Sequence, residues 1–212
     1  MTKSLQNIIL GAFAIYALVP VYLVVLAAMR SEADLFSGPL TMPWPPNWQN
    51  FSRVWNESGF SVFFMNSVKI SASVTALVVL CAPLAGFAFA KMKFRGREPL
   101  FVLFLAGLVV PAPSVIVALY GNLQEFGIID THLGVILPQA ALLLPFSIFM
   151  MRTVMQDVPD ELIEASTMDG ATPFGTFIRV VLPIVRPGIM SLILIVFLFS
   201  FYIFVNLIGT LW

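Results

Sequence analysis

The residues able to do chemistry in this 212-residue chain are few, and they fall into two settings. The first is the interior or edge of long apolar stretches. Asn122, Gln139, Tyr202 and Asn206 are the notable polar side chains there, with Ser200 near Asn206. These groups make hydrogen bonds while staying neutral. No ionisable Asp, Glu, Lys, Arg or His stands mid-stretch, which argues against a carrier driven by protons or sodium. His132 has no second His or Cys to complete a metal site with it, so its expected role is at a surface or a helix cap. Cys81 lies in an apolar run and reads as a small buried hydrophobe. A membrane-embedded enzyme would need a nucleophile–base pair or a metal cluster at the end of a stretch. Neither is found, so no catalytic residue, metal or cofactor is expected.

The second setting is one polar segment, DVPDELIEASTMDGATPFGTFIRVVLPIVRPG, from Asp157 to Gly188. It reads as two short helices joined at a glycine. Asp157 suits the cap of the first helix and Pro159 its first turn. Asp160 and Glu161 place negative charge at the positive end of the dipole. Leu162, Ala165 and Asp169 recur at helical spacing, and Gly170 permits the left-handed turn that ends the helix. Thr172 then caps a second helix with Pro173 at its first position, and Pro183 and Pro187 stop it.

These residues need elements to hold them, and composition says which. Hydrophobic residues make up 59% of the chain and charged residues 10%. Soluble domains carry about a quarter charged residues, and so much apolar surface cannot be hidden from water. The bilayer resolves the mismatch. Five segments have the roughly 20 apolar residues that a helical crossing requires. They are 8–29, 70–90, 99–120, 133–151 and 187–212. The fold class is therefore all-α, a single polytopic bundle with about five spans. Formal net charge is zero, so nucleic acid is not expected as a partner.

Basic residues set the orientation. Lys91, Lys93, Arg95 and Arg97 follow the second span, Arg152, Arg179 and Arg186 follow the fourth, and Lys3 precedes the first. Five spans put these on one side, which places the amino terminus in the cytoplasm. The cluster after the second span is explained by topology and attraction to anionic lipid alone. Pro20, Pro83, Pro111, Pro113, Pro138 and Pro145 lie within spans and predict bent helices. Outside, Trp44, Trp48 and Trp55 suit the membrane–water interface, with a docking surface as the alternative.

The polar segment also resembles a known family. Glu164-Ala165-Ser166, three residues to Gly170, nine more to Val180, then one residue and Leu182-Pro183 resembles the EAA loop of ATP-binding-cassette (ABC) importer permeases. The departures are Ser166 for Ala and Val180 for Ile; Asp169-Gly170-Ala171 has the commonest form. Phe89 to Arg97, Phe126 to Gly134, Ile136-Leu137-Pro138 and Asn66-Ser67 look like the sugar-importing branch, similar to the maltose-system permease.

The resemblance implies a bacterial or archaeal inner-membrane subunit that is not itself an enzyme. Its partners would be cytoplasmic ATPase subunits, a second permease subunit in a heterodimer, an extracytoplasmic sugar-binding protein and membrane lipid. Segment 152–186 would be the ATPase-coupling loop, with Glu164, Ala165, Ser166, Asp169, Gly170, Leu182 and Pro183 as its residues. Carbohydrate would cross by alternating access, with Asn122, Gln139, Tyr202 and Asn206 as candidates along its path. Relatives in this branch have six spans and a Trp-Asn pair near residues 197–204, which is absent here. The chain is thus expected to be a permease lacking its last helix. The alternatives are a non-transporting remnant or a permease for another small solute.

Overall fold

The computed structural model describes the backbone of residues 3–31 and 43–209, and the side chains of 5–31, 43–111 and 114–203. Helices account for every regular element among these residues. The chain divides into two units, 1–64 and 65–212, with the boundary inside one helix.

In the first unit, α1 (Lys3–Ala28) carries no charge beyond Lys3 and is exposed along nearly its whole length. A helix apolar on every side is suited to lipid. Asn50 closes its end, donating from Nδ2 to the carbonyls of Ala28 at 2.9 Å and Arg30 at 2.8 Å. Asn50 belongs to α2 (Gln49–Asn56), a short helix in a segment where the sequence suggested interfacial aromatics or a docking surface. Trp48, Phe51, Val54 and Trp55 are exposed on it, and Trp55 contacts Phe60 and Phe64. This is the make-up of a helix lying in a membrane interface.

The second unit takes in most of α3 (Phe60–Lys91), which starts ten residues before the expected span. Further along are α6 (His132–Gln156) and α10 (Arg186–Gly209). Together with α1, these are the four helices among the described residues that are long and apolar enough to cross a membrane singly. The expected last span ends at residues 210–212, which lie outside the described residues.

The expected third span, 99–120, is not one helix. It is α4 (Arg97–Ala106) and α5 (Ala112–Glu125), broken at Gly107–Pro111. Pro111 is extended, with φ −68° and ψ 128°, and a second proline follows at 113. Pro111 lacks a donor and disfavours helical geometry at Val110, which lies outside both helices, while Pro113 sits in the first turn of α5, where no donor is needed. Pro20, Pro83, Pro138 and Pro145 stay inside continuous helices.

The core of the second unit joins α3, α6 and α10. Val74, Val78, Met151, Met155, Val181, Leu192 and Val196 are all fully or almost fully buried. Gly86 lets two helices touch, because a Cβ there would lie 2.7 Å from Met151 Cβ and 3.0 Å from the Arg152 nitrogen. Close approach through small residues supplies packing where lipid weakens the hydrophobic drive.

Candidate functional site

The polar segment forms two arms. The first, α7 (Asp160–Met168), follows α6 after a gap of three residues. Asp157 does not cap it, contrary to expectation. α6 runs on to Gln156, so Asp157 ends α6, while Pro159 occupies the cap position of α7 without a side-chain bond. Gly170 has φ +80°, the left-handed turn expected of it. The nitrogens of Asp169, Gly170 and Ala171 donate to the carbonyls of Ala165, Thr167 and Ser166.

The second arm begins at α8 (Pro173–Thr176), where the Thr172 hydroxyl accepts from the Gly175 N–H at 3.1 Å. It then widens into a π turn, Phe177–Val181, and tightens again in α9 (Leu182–Ile184). Sequence reasoning expected one regular helix stopped by Pro183. Pro183 lacks an N–H for Arg179, and the Leu182 N–H reaches back five residues to the Phe177 carbonyl. Pro187 does not end this arm but sits in the first turn of α10.

Ser166 and Thr176 join the arms, with their buried hydroxyl oxygens 2.8 Å apart. The serine that departs from the motif therefore has a partner. Glu164, Ala165, Asp169 and Gly170 face outward, as do Leu162, Met168 and Phe174. Leu182 is half-buried and Pro183 exposed. The arms thus present apolar and acidic groups side by side.

Sequence reasoning gave Lys91 only a topological role. In the structure its Nζ donates to the Val158 carbonyl at 2.6 Å, to Asp160 Oδ1 at 2.6 Å and to the Gln156 carbonyl at 3.4 Å. Arg152 donates from Nη2 to both oxygens of Glu98, at 2.8 and 2.9 Å, and lies 3.9 Å from the Phe101 ring centroid. The Arg152 hydrogen bond and charge, then Arg97, hold the Glu98 carboxyl below its usual range; Lys91 does the same for Asp160. No sequence signal separates Lys91 from the basic residues beside it, since the pairing partners lie more than 60 residues away.

Among the described side chains, the path candidates Asn122, Gln139 and Tyr202 do not line a common cavity. Gln139 is buried, and its Oε1 accepts from the Ser200 hydroxyl at 2.6 Å, which bridges α6 and α10. Such a bond is a helix–helix packing contact. Asn122 and Tyr202 are exposed, and the side chain of Asn206 lies outside the described residues. An open cavity of about 650 Å³ is lined by Asn66, Tyr120, Asp130 and His132 among others, and Asn122, Gln139 and Tyr202 do not line it. Among the described residues no group of His, Cys, Asp and Glu could hold a metal.

Residues 82–209 match the family described as "Binding-protein-dependent transport system inner membrane component", a range that takes in both arms and the π turn. The chain belongs to that family. This permease-family chain is 30% identical over 195 residues to the "Diacetylchitobiose uptake system permease protein NgcG" of Streptomyces coelicolor, covering 92% of itself and 65% of that relative. It is 29% identical to the "Trehalose transport system permease protein SugB" of Mycobacterium tuberculosis, over 87% of itself and 67% of the relative. It therefore spans about two thirds of the length of these curated relatives. A bacterial ABC transporter importing alginate has the same fold, with TM-score 0.79, 19% identity, and coverage of 94% of this chain and 72% of the other. Family membership and the long apolar helices together make this a multi-pass membrane protein of the inner-membrane family.

Proposed function

We propose that this chain is a transport subunit of an ATP-driven importer for carbohydrate, and that segment 152–186 is the lever through which partner ATPase subunits drive it. The observation that carries the reading is the shape of that segment. The residues of the spaced motif fall on two arms locked by Ser166 and Thr176, with Glu164 and Gly170 exposed between apolar Leu162, Met168 and Phe174. Such a knuckle suits a groove on a soluble partner, where Glu164 supplies charge and the apolar groups supply buried area. Rigid-body rocking of the bundle then exposes the path to each side in turn. An extracytoplasmic binding protein would deliver the substrate, and a second permease subunit would complete the path. The names of the two relatives support a saccharide cargo.

Two measurements test the reading. The cognate ATPase should co-purify with the wild-type chain and less well with Glu164→Ala. In vesicles, Gly170→Val forces a β-branched residue to φ +80°, which costs about 1–2 kcal/mol, and should uncouple ATP hydrolysis from uptake of labelled diacetylchitobiose or trehalose. Gly170→Asn, which tolerates that conformation, should transport close to wild type. Normal transport by Gly170→Val overturns the lever.

A further inference from the structure

We infer that Lys91 is a positioning residue for coupling, a clasp that ties the end of α3 to the start of the first arm so that movement of α7 reaches α3. The inference rests on the lever reading and adds a part to it.

Three observations carry it. First, the ammonium group is occupied on every side. It has three protons, and the structure gives it three acceptors, the carbonyls of Gln156 and Val158 and the carboxylate of Asp160. Its side chain is 7% exposed, against 76% for Asp160. A lysine retained only to fix topology needs no such burial, and Lys93 and Arg95 beside it are exposed.

Second, the place it grips is the joint of the lever. Only Asp157, Val158 and Pro159 separate α6 from α7, and no side chain caps α7 locally. The last turn of α6 contains no basic residue, so Lys91 provides the positive charge that its carbonyl end favours. One side chain therefore closes α6 and tethers Asp160 at the head of α7.

Third, α3 already touches the other arm. The Phe87 ring lies 5.4 Å from that of Phe177 in the π turn. The α3 end is held by both arms, but the two contacts differ in kind. The tilted ring pair is held by weak dispersion contacts, whereas charge-assisted hydrogen bonds hold the ammonium to acceptors on either side of the joint. The Lys91 clasp is the contact able to impose a displacement on α3.

The test uses the assembled complex with its ATPases in vesicles, with the same two labelled disaccharides as probes. Asp160→Asn is the main variant, because it removes an exposed charge and leaves both carbonyl bonds of Lys91 in place. It should lower disaccharide taken up per ATP hydrolysed by about tenfold, with co-purification of the ATPase unchanged. Lys91→Met should do at least as much, and the double variant should be no worse than Lys91→Met alone, since both break one link.

Glu161→Gln, one residue along, controls for negative charge at the helix head and should remain coupled. Pulsed spin-label distances between Met92 and Met168 should stay single through the ATP cycle in the wild type and spread in Asp160→Asn. Wild-type uptake per ATP in both Asp160→Asn and Lys91→Met, alongside an uncoupled Gly170→Val, overturns the clasp and leaves the lever standing. An equal loss in Glu161→Gln also overturns it, because helix-end charge then suffices. If Gly170→Val is coupled and no ATPase co-purifies, the lever itself is wrong.

Discussion

At its His132 end, α6 is closed by its immediate neighbours in sequence; at its Gln156 end, by a side chain 65 residues away. The first closure is compact. The Thr131 hydroxyl donates to the Ile128 carbonyl at 2.7 Å and accepts from the Gly134 N–H at 3.2 Å. Gly127 and Asp130 turn the chain with φ of +65° and +60°, and the Ile128 carbonyl occupies the space where a Cβ of residue 134 would go. The second closure is the Lys91 clasp, backed by Arg152 on Glu98. A local closure fixes the end of a helix and moves with it. A closure made from elsewhere binds separate helices into one moving part. One end is held within its own loop, and the other is held to the end of α3.

The largest expected effect breaks the local closure. Gly134→Ala drives a methyl group into a backbone carbonyl, which cannot swing aside as a side chain can. The cost should be about 1–3 kcal/mol, read as a lowered melting temperature of the purified chain in detergent. An unchanged melting temperature would mean that the loop yields freely and the closure is loose.

Thr131→Ala should cost about 1 kcal/mol in the same assay, with Thr131→Ser near wild type. Neither change should alter ATPase co-purification if segment 152–186 is the lever proposed, since both lie outside that segment.

The smallest effect sharpens the comparison through pH. Glu98 and Asp160 have carboxyls held below their ordinary values of 4.5 and 3.8 by Arg152 and Lys91 respectively. A lowered carboxyl contributes stability that is present above the ordinary value and lost as pH falls through the lowered one. Both groups are exposed, so solvent screening keeps the contribution small. Melting followed from about pH 6 down to about pH 3 should show a fall that the Glu98→Gln/Asp160→Asn variant lessens. Thr131 has no titrating group and its cap adds nothing to that slope. An identical slope in the double variant would remove the ion pairs from the account.

What could be read in advance followed the same division. The apolar runs located α1, α3, α6 and α10, because lipid demands length and hydrophobicity from every crossing helix. Gly170 and Thr172-Pro173 were legible because a left-handed glycine and a capping hydroxyl act within a few residues. The rest depended on partners distant in sequence. Lys91 looked like its basic neighbours until α6 and α7 were placed beside it. Gln139 was a candidate along the path, and its hydrogen bond from Ser200, 61 residues on, could not be read from the sequence. Asp157 was misplaced because α6 outran its apolar segment by one further turn. The prolines of the third span were visible, but whether such a pair bends or breaks a helix depends on what surrounds it. There Gly107, whose Cβ would lie 3.2 Å from Pro145 Cγ, ends α4 against α6.

The π turn at Phe177–Val181 has a consequence for the motif that crosses it. A regular helix advances about 100° per residue, so one surplus residue in a turn rotates all that follows by about that angle. The nine residues between Gly170 and Val180 therefore measure torsion as well as length. Deleting a single residue from the wide turn would keep Glu164, Gly170, Leu182 and Pro183 all present. It would swing the last two roughly a quarter to a third of the way around the axis. A chain so altered would carry every residue of the pattern, out of phase.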